Sequence, residues 1–252
     1  MKRVFKKVLN KFGYDLVYYK GSKTGLTDII DEDFWKMYEF AKPYTMTSCE
    51  RMFALYQATN FILDQKIQGD FVECGVWRGG SSLLMAQVLQ KCNERERLIY
   101  LYDTFEGMSS PTEHDKDLNG KKASQILEVE KEDKENSTWC LATLSDVQNN
   151  LSLSNLPQNQ LRFVKGKVEE TIPAILPNRI ALLRLDTDWY ESTKHELENL
   201  FDIVSPGGIV ILDDYGHWQG ARKAVDEFLT KRGLNVLLNR IDYSGRMFVK
   251  PF

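Results

Sequence analysis

Asp70-Phe71-Val72-Glu73-Cys74-Gly75-Val76-Trp77-Arg78-Gly79-Gly80-Ser81-Ser82 is the stretch that decides the fold. It reads as a short strand running into glycine, then a tight glycine-rich turn. Leu83 to Leu89 follows as a helix, and Leu98-Ile99-Tyr100-Leu101-Tyr102 as a second strand that ends on Asp103. A strand–turn–helix–strand unit closed by an acid binds an adenosine-type ligand at the carboxyl ends of parallel strands. The turn lacks the GxGxxG spacing, which disfavours a nicotinamide cofactor, and there is no P-loop.

Moving outward, strand-like segments recur at 161–164, 180–185 and 209–212, with helices at 192–204 and 220–232. Segments 235–240 and 247–250 flank Asp242-Tyr243-Ser244-Gly245 and read as a hairpin. The alternation predicts an α/β fold with a mostly parallel sheet and a C-terminal antiparallel hairpin. Residues 105–160 exceed what a crossover needs. They hold a charged run from Lys116 to Glu135, expected to be a solvated face or mobile flap, and a helix around 141–151.

Toward the N-terminus, Thr47 or Ser48 can cap an apolar helix, and Asp28 or Asp31 another that ends near Pro43. Residues 1–42 are expected to be a helical extension, and 43–252 the main domain with a flap near 106–140. Val4, Val8 and Phe12 recur at helical spacing among Lys2, Arg3, Lys6, Lys7 and Lys11. This basic amphipathic stripe suits packing on the domain or a second copy, or a peripheral foot of residues 1–12 on an anionic inner membrane face.

The 252 residues carry a formal charge of −3 and are 42% hydrophobic, enough for a proper core. Mild acidity gives no electrostatic reason to bind nucleic acid. No apolar run is long enough to span a membrane. The cysteines Cys49, Cys74, Cys92 and Cys140 form no CxxC pair, which argues against a zinc ribbon and points to a reducing, cytoplasmic setting.

Three acids carry the chemistry. Asp186, with Asp188 beside it, follows the strand at 180–185, and Asp213-Asp214 follow the strand at 209–212. Asp186 and Asp213 lie 27 residues apart, which suits one crossover between adjacent parallel strands. Carboxylates gathered at one sheet edge repel unless something positive lies between them, and hard oxygen ligands favour magnesium or manganese. A lone Asp at a strand end commonly caps a turn, but two such groups on neighbouring strands point to a metal. Gly75 allows close backbone approach, Asp103 can accept from two ribose hydroxyls, and Ser81 and Ser82 near a helix N-terminus can bind a carboxylate.

Five segments together resemble the macrocin O-methyltransferase family: 44–48 (YTMTS), 73–79 (ECGVWRG), 103–108 (DTFEGM), 185–193 (LDTDWYEST) and 213–216 (DDYG). The resemblance spans about residues 40 to 250. It implies a Rossmann-like class I fold with a seven-stranded sheet, and S-adenosylmethionine- and magnesium-dependent methylation of sugar hydroxyls. Asp186, Asp213 and Asp214 match the metal ligands, and Asp186 also the general base. Thr47 or Ser48, Glu73, Gly75, Asp103 with Thr104, and Gly166 match the cofactor site.

The resemblance implies a saccharide or nucleotide-sugar acceptor; a bacterial surface sugar, a natural-product sugar and a phenolic catechol are all left open, and a vicinal diol is preferred because two neighbouring hydroxyls chelate a metal well. An alcohol is a poor nucleophile at neutral pH, so metal coordination to acidify it and Asp186 to take its proton form the expected mechanism. His114, Asp188, Tyr190 and His217 are candidates for substrate contact, and Arg78 for a loop brace. The competing reading is a DxD glycosyltransferase, with Asp186-Thr187-Asp188 holding manganese against a nucleotide sugar. The acids at 213–214 and the loop with Asp103 suit that reading poorly.

Overall fold

The structure, a computed structural model, describes residues 28–252. The basic stripe and its membrane or packing role lie outside the described residues. The chain divides into one unit ending at Trp35 and another spanning Lys36–Phe252, which holds the sheet and the site. Helix α1 (Glu32–Ala41) starts where Asp31 Oδ1 accepts from the backbone N–H groups of Asp33 and Phe34 at 2.9 and 3.0 Å. Among the described residues no helix is long and apolar enough to cross a membrane.

The sheet has seven strands: β1 (Asp70–Cys74), β2 (Ile99–Asp103), β3 (Leu161–Lys165), β4 (Ile180–Leu185), β5 (Val204–Leu212), β6 (Asn239–Arg240) and β7 (Arg246–Val249). Their order is β3-β2-β1-β4-β5-β7-β6, with β7 antiparallel to both neighbours and the other pairings parallel. This is the class I methyltransferase arrangement expected from the sequence. Strand order reverses at β1 and β4, which opens a crevice at their carboxyl ends.

The remaining helices are α2 (Cys49–Asp64), α3 (Gly80–Lys91), α4 (Ala123–Val129), α5 (Leu144–Ser152), α6 (Val168–Thr171), α7 (Tyr190–Leu200) and α8 (Gln219–Arg232). Every residue of β4 is buried, as a central parallel strand covered on both faces requires. Val72, Leu183, Leu185, Val210 and Leu212 form one core with Leu197, Leu200 and Phe228 of α7 and α8. Each such side chain contributes about 1.5–3 kcal/mol by leaving water.

Several expectations need correction. Strand β5 begins at Val204 rather than Ile209: Val204, expected to close a helix, already pairs with Ile180 across a register shift. Helix α7 starts at Tyr190 and ends at Leu200, followed by a short 3-10 turn. Helix α5 starts only at Leu144, where the Thr143 hydroxyl accepts from Asp146 N–H. The charged run at 116–135 is not wholly solvated. It forms α4, whose Ala123 and Leu127 are buried in a cluster with Trp189, Trp218 and Ala221. Ala123 and Leu127, set among charges, give a weak periodic signal that hides the packing.

Candidate active site

The crevice is a cleft of about 360 Å³ lined from the carboxyl ends of β1 to β5. Gly75 ends β1 at φ +81°, and a Cβ there would lie 1.9 Å from Asp186 O. Only glycine lets the β1 turn approach the end of β4 so closely. Asp186 N–H donates to Cys74 O at 2.8 Å and Asp213 N–H to Leu185 O at 2.9 Å. The ladder thus delivers the acids to one edge.

Asp186, Asp213 and Asp214 each present a carboxylate oxygen within 4.8 Å of the other two. These are hard donors at a spacing that one small divalent cation can bridge. Burial drives the Asp186 carboxyl well above the usual carboxylate range, with Asp213 and Asp214 adding to the effect and Arg184 opposing it. Burial and then Asp188 do the same to Asp214. Asp188 is pushed up to about 7, by burial first and by Asp186 second. Burial and mutual repulsion thus favour the protonated form of these carboxyls in the field of the protein's own charges.

The cations present were not anticipated from the sequence. Arg184, the penultimate residue of β4, is 2% exposed. Its guanidinium donates to Glu73 Oε1 at 2.6 Å, Asp186 Oδ2 at 2.7 Å, Asp213 Oδ1 at 2.7 Å and Thr47 Oγ1 at 3.1 Å. An arginine inside an otherwise apolar strand is the signal that would have found it. Arg51, in the first turn of α2, pairs with Asp213 Oδ2 and, at 3.0 Å, with Asp242 Oδ2. Nothing local marks it.

Of the residues singled out from the sequence, Thr47, Gly75, Ser81, Asp103, Thr104, Gly166, Asp186, Asp188, Asp213, Asp214 and His217 line the cleft. Asp103 also braces the loop it faces: Oδ2 accepts from Val76 and Trp77 N–H at 2.7 and 3.1 Å, and Oδ1 from Phe105 N–H at 2.7 Å. Gly166 N–H donates to Asp103 O at 3.0 Å, which brings the ends of β2 and β3 together. Burial lowers the His217 pKa, favouring a neutral imidazole, and Tyr243 Oη lies 3.4 Å from its Nδ1.

Five candidates lie outside the lining. Glu73 is buried and pairs with Arg184, while Ser82 Oγ donates to Glu73 Oε2. Ser48 is the N-cap of α2, accepting from Arg51 N–H, and its Oγ donates to Asp242 Oδ2 at 2.7 Å. These three shape the site from behind. Tyr190 Oη donates to Glu227 Oε2 at 2.7 Å, and the His114 ring packs edge-on against the Tyr190 ring at 4.7 Å. Trp189 is also core, 4.9 Å from Trp218 between ring centres. Arg78 is a brace, with Nε 2.9 Å from Asp146 Oδ2. The cleft gains Met46, Trp77, Met108 and Tyr243, an apolar rim that the sequence did not single out.

Comparison with known proteins follows from this geometry. The family described as Macrocin-O-methyltransferase (TylF) matches residues 35–250. The 8-demethyl-8-(2,3-dimethoxy-alpha-L-rhamnosyl)-tetracenomycin-C 4'-O-methyltransferase of Streptomyces olivaceus is 35% identical over 202 residues, 80% of this chain and 74% of that one. The structure of the O-methyltransferase NovP superposes with a TM-score of 0.73 at 30% identity, covering 83% of each chain. An SAH-bound Podospora anserina methyltransferase, PaMTH1, shares the fold at 12% identity and a TM-score of 0.53, over 95% of this chain and 99% of that one.

Proposed function

The chain belongs to the macrocin-O-methyltransferase family and is an O-methyltransferase, and on that premise we propose that it moves the methyl group of S-adenosylmethionine to a sugar hydroxyl with the help of a magnesium or manganese ion. Membership in this family sets aside the glycosyltransferase reading. The observation that carries the proposal is the set of three carboxylates, Asp186, Asp213 and Asp214, gathered at the cleft edge beside the glycine turn.

Those three residues would hold the cation, which supplies Lewis acidity that makes a coordinated hydroxyl a stronger acid. Asp103 would accept from the ribose hydroxyls, the β3 end at Gly166 would border the adenine, and Thr47 and Ser81 would meet the methionine end. Asp186 takes the hydroxyl proton. The acceptor oxygen forms a bond to the methyl carbon as the carbon–sulfur bond breaks, its electron pair passing to sulfur. The charge of the sulfonium is lost as the neutral ether forms. The apolar rim of Met46, Trp77 and Met108 excludes water from this exchange, and His217 and Tyr243 are placed to meet the sugar.

The S. olivaceus relative acts, by its name, on a rhamnosylated natural product, which supports a glycoside acceptor. Four free cysteines support a reducing, cytoplasmic setting. The test is mass spectrometry of a panel of rhamnosides, other glycosides, nucleotide sugars and surface-polysaccharide fragments with isotope-labelled donor. Methyl transfer to a glycoside that EDTA abolishes and magnesium restores is the expected result. Full transfer by extensively dialysed enzyme in EDTA removes the metal, and transfer only to non-sugar phenols removes the sugar.

A further inference from the structure

We propose that Arg51 is an internal counter-cation that holds Asp213 while no divalent cation is bound and yields that oxygen to one, remaining on Asp242. This rests on the metal reading above and concerns how the protein's own charges make way for the ion.

The two arginines at the site differ in kind. Arg184 is buried in β4, and its acceptors, Glu73, Asp186, Asp213 and Thr47, lie within the site. It is a fixed part of the acid cluster. The Arg51 side chain is 13% exposed and lines the cleft. Its guanidinium bridges Asp213 Oδ2 on one side and Asp242 Oδ2 on the other. Since Arg184 already occupies Asp213 Oδ1, the oxygen that a cation would share with Arg51 is Oδ2.

A doubly charged ion bound there would lie within a few ångströms of the guanidinium, where like charges repel strongly. Asp242 makes withdrawal cheap, because an arginine that leaves Asp213 still has a carboxylate partner. That partner is rigidly presented. Asp242 Oδ2 accepts from Ser48 Oγ, and Oδ1 accepts from the N–H groups of Ser244 and Gly245 at 2.8 and 2.6 Å. A Cβ on Gly245 would lie 2.8 Å from Arg51 Cδ, so the turn grips the arginine stem while its head spans the two acids. The same turn carries Tyr243 to the cleft, and Ser244 Oγ donates to Asp213 O at 2.7 Å.

The proposal gives variants of opposite sign. Free Mn²⁺ is followed by electron paramagnetic resonance during titration of full-length wild type, Arg51→Met, Arg51→Lys and Asp242→Asn, without donor or acceptor. Arg51→Met removes the competing charge and is expected to bind Mn²⁺ about tenfold more tightly. Asp242→Asn removes the alternative partner, leaves Arg51 on Asp213, and is expected to bind about threefold or more weakly. Arg51→Lys falls between wild type and Arg51→Met. S-adenosylhomocysteine affinity reports that each variant is folded. Mn²⁺ affinity that is unchanged or weaker in Arg51→Met overturns the role of Arg51 and leaves the metal site standing. Should Arg51→Met not fold, unchanged or tighter binding by Asp242→Asn overturns it equally. No saturable Mn²⁺ binding by wild type that still binds S-adenosylhomocysteine removes the metal reading and this inference with it.

Discussion

The carboxyl edge of the sheet and the segment at 106–140, expected from the sequence as a flap, both line one cleft but are held by different means. At the edge, backbone ladders fix each acid: β4 pairs with β1 on one side and β5 on the other, and the bonds continue to Asp186 N–H and Asp213 N–H. The flap has no such ladder: besides one backbone bond, Gln219 N–H to Lys116 O at 2.8 Å, and the packing of Ala123 and Leu127 on Trp189 and Trp218, it is held by side-chain tethers. Trp189 Nε1 donates to Ser109 O at 3.0 Å, Trp77 Nε1 to Glu135 O at 3.1 Å, and Asp115 reaches across to α7. A ladder distributes strain over many bonds, whereas a tether concentrates it in one. Changes at the edge should therefore alter chemistry without moving structure, and changes at the tethers should move structure without touching chemistry.

The largest effect tests the first half of that contrast. Asp186→Asn keeps an oxygen that can accept from Arg184 but cannot take a proton. We expect kcat to fall by about 10²–10⁴-fold. Affinity for S-adenosylhomocysteine in titration calorimetry should stay within about twofold, since the backbone around Asp186 is fixed by its neighbours. A comparable loss of cofactor affinity would show that the edge is not independently rigid.

A middle-sized effect tests the second half. Asp115 is fully buried, and its Oδ1 accepts from Tyr190 N–H at 2.8 Å at the start of α7, while Oδ2 accepts from Thr112 N–H and Oγ1. Asp115→Ala leaves buried donors unpaired, which costs about 1–3 kcal/mol. The expected signature is an acceptor KM raised about five- to tenfold with cofactor affinity nearly unchanged, and a lowered Tm. Asp115→Asn keeps one acceptor oxygen but turns an amide N–H toward the other backbone donor, and should restore only part of both. Equal losses in acceptor and cofactor binding would mean that flap and edge move as one body.

The same contrast explains what was readable in advance. Strand ends were readable because apolar runs such as Ile180–Leu185 stop abruptly at acids, and a parallel sheet brings such ends together. Hence Asp186, Asp213, Asp214, Asp103 and Gly75 are legible as strand-end residues, and all five line the cleft. Residues that act through tertiary approach are not legible. Arg51 sits at an ordinary helix start and Tyr243 in an ordinary turn, and both reach the cleft only because elements distant in sequence fold together. Glu73 and Ser82 were placed one layer too far forward, because alternation along β1 gives a face but not what stands between that face and the cleft. The charged run at 116–135 reads as a solvated face or mobile flap because charges surround its few packed apolar residues.

Helix α7 joins the two regions, and Glu196 on it tests the weakest link. It is fully buried; Oε2 accepts from Thr187 Oγ1 at 3.2 Å, in the loop between Asp186 and Asp188, and Oε1 has no partner. Burial drives this carboxyl well above its ordinary value, so the folded protein keeps the proton that the unfolded chain gives up near about pH 4.3. Stability present below that pH is lost as pH rises toward the folded value. Glutamine carries no charge at any pH, and its amide oxygen can still accept from Thr187. Glu196→Gln should therefore match wild type in Tm near pH 4.5 and exceed it by about 2–4 °C at pH 8, measured by thermal denaturation across the range. A Tm difference independent of pH would mean that Glu196 is ionised and balanced by an opposite charge. The loop bearing the acids would then be held from α7 by an ion pair, and the edge would owe its rigidity to a tether after all.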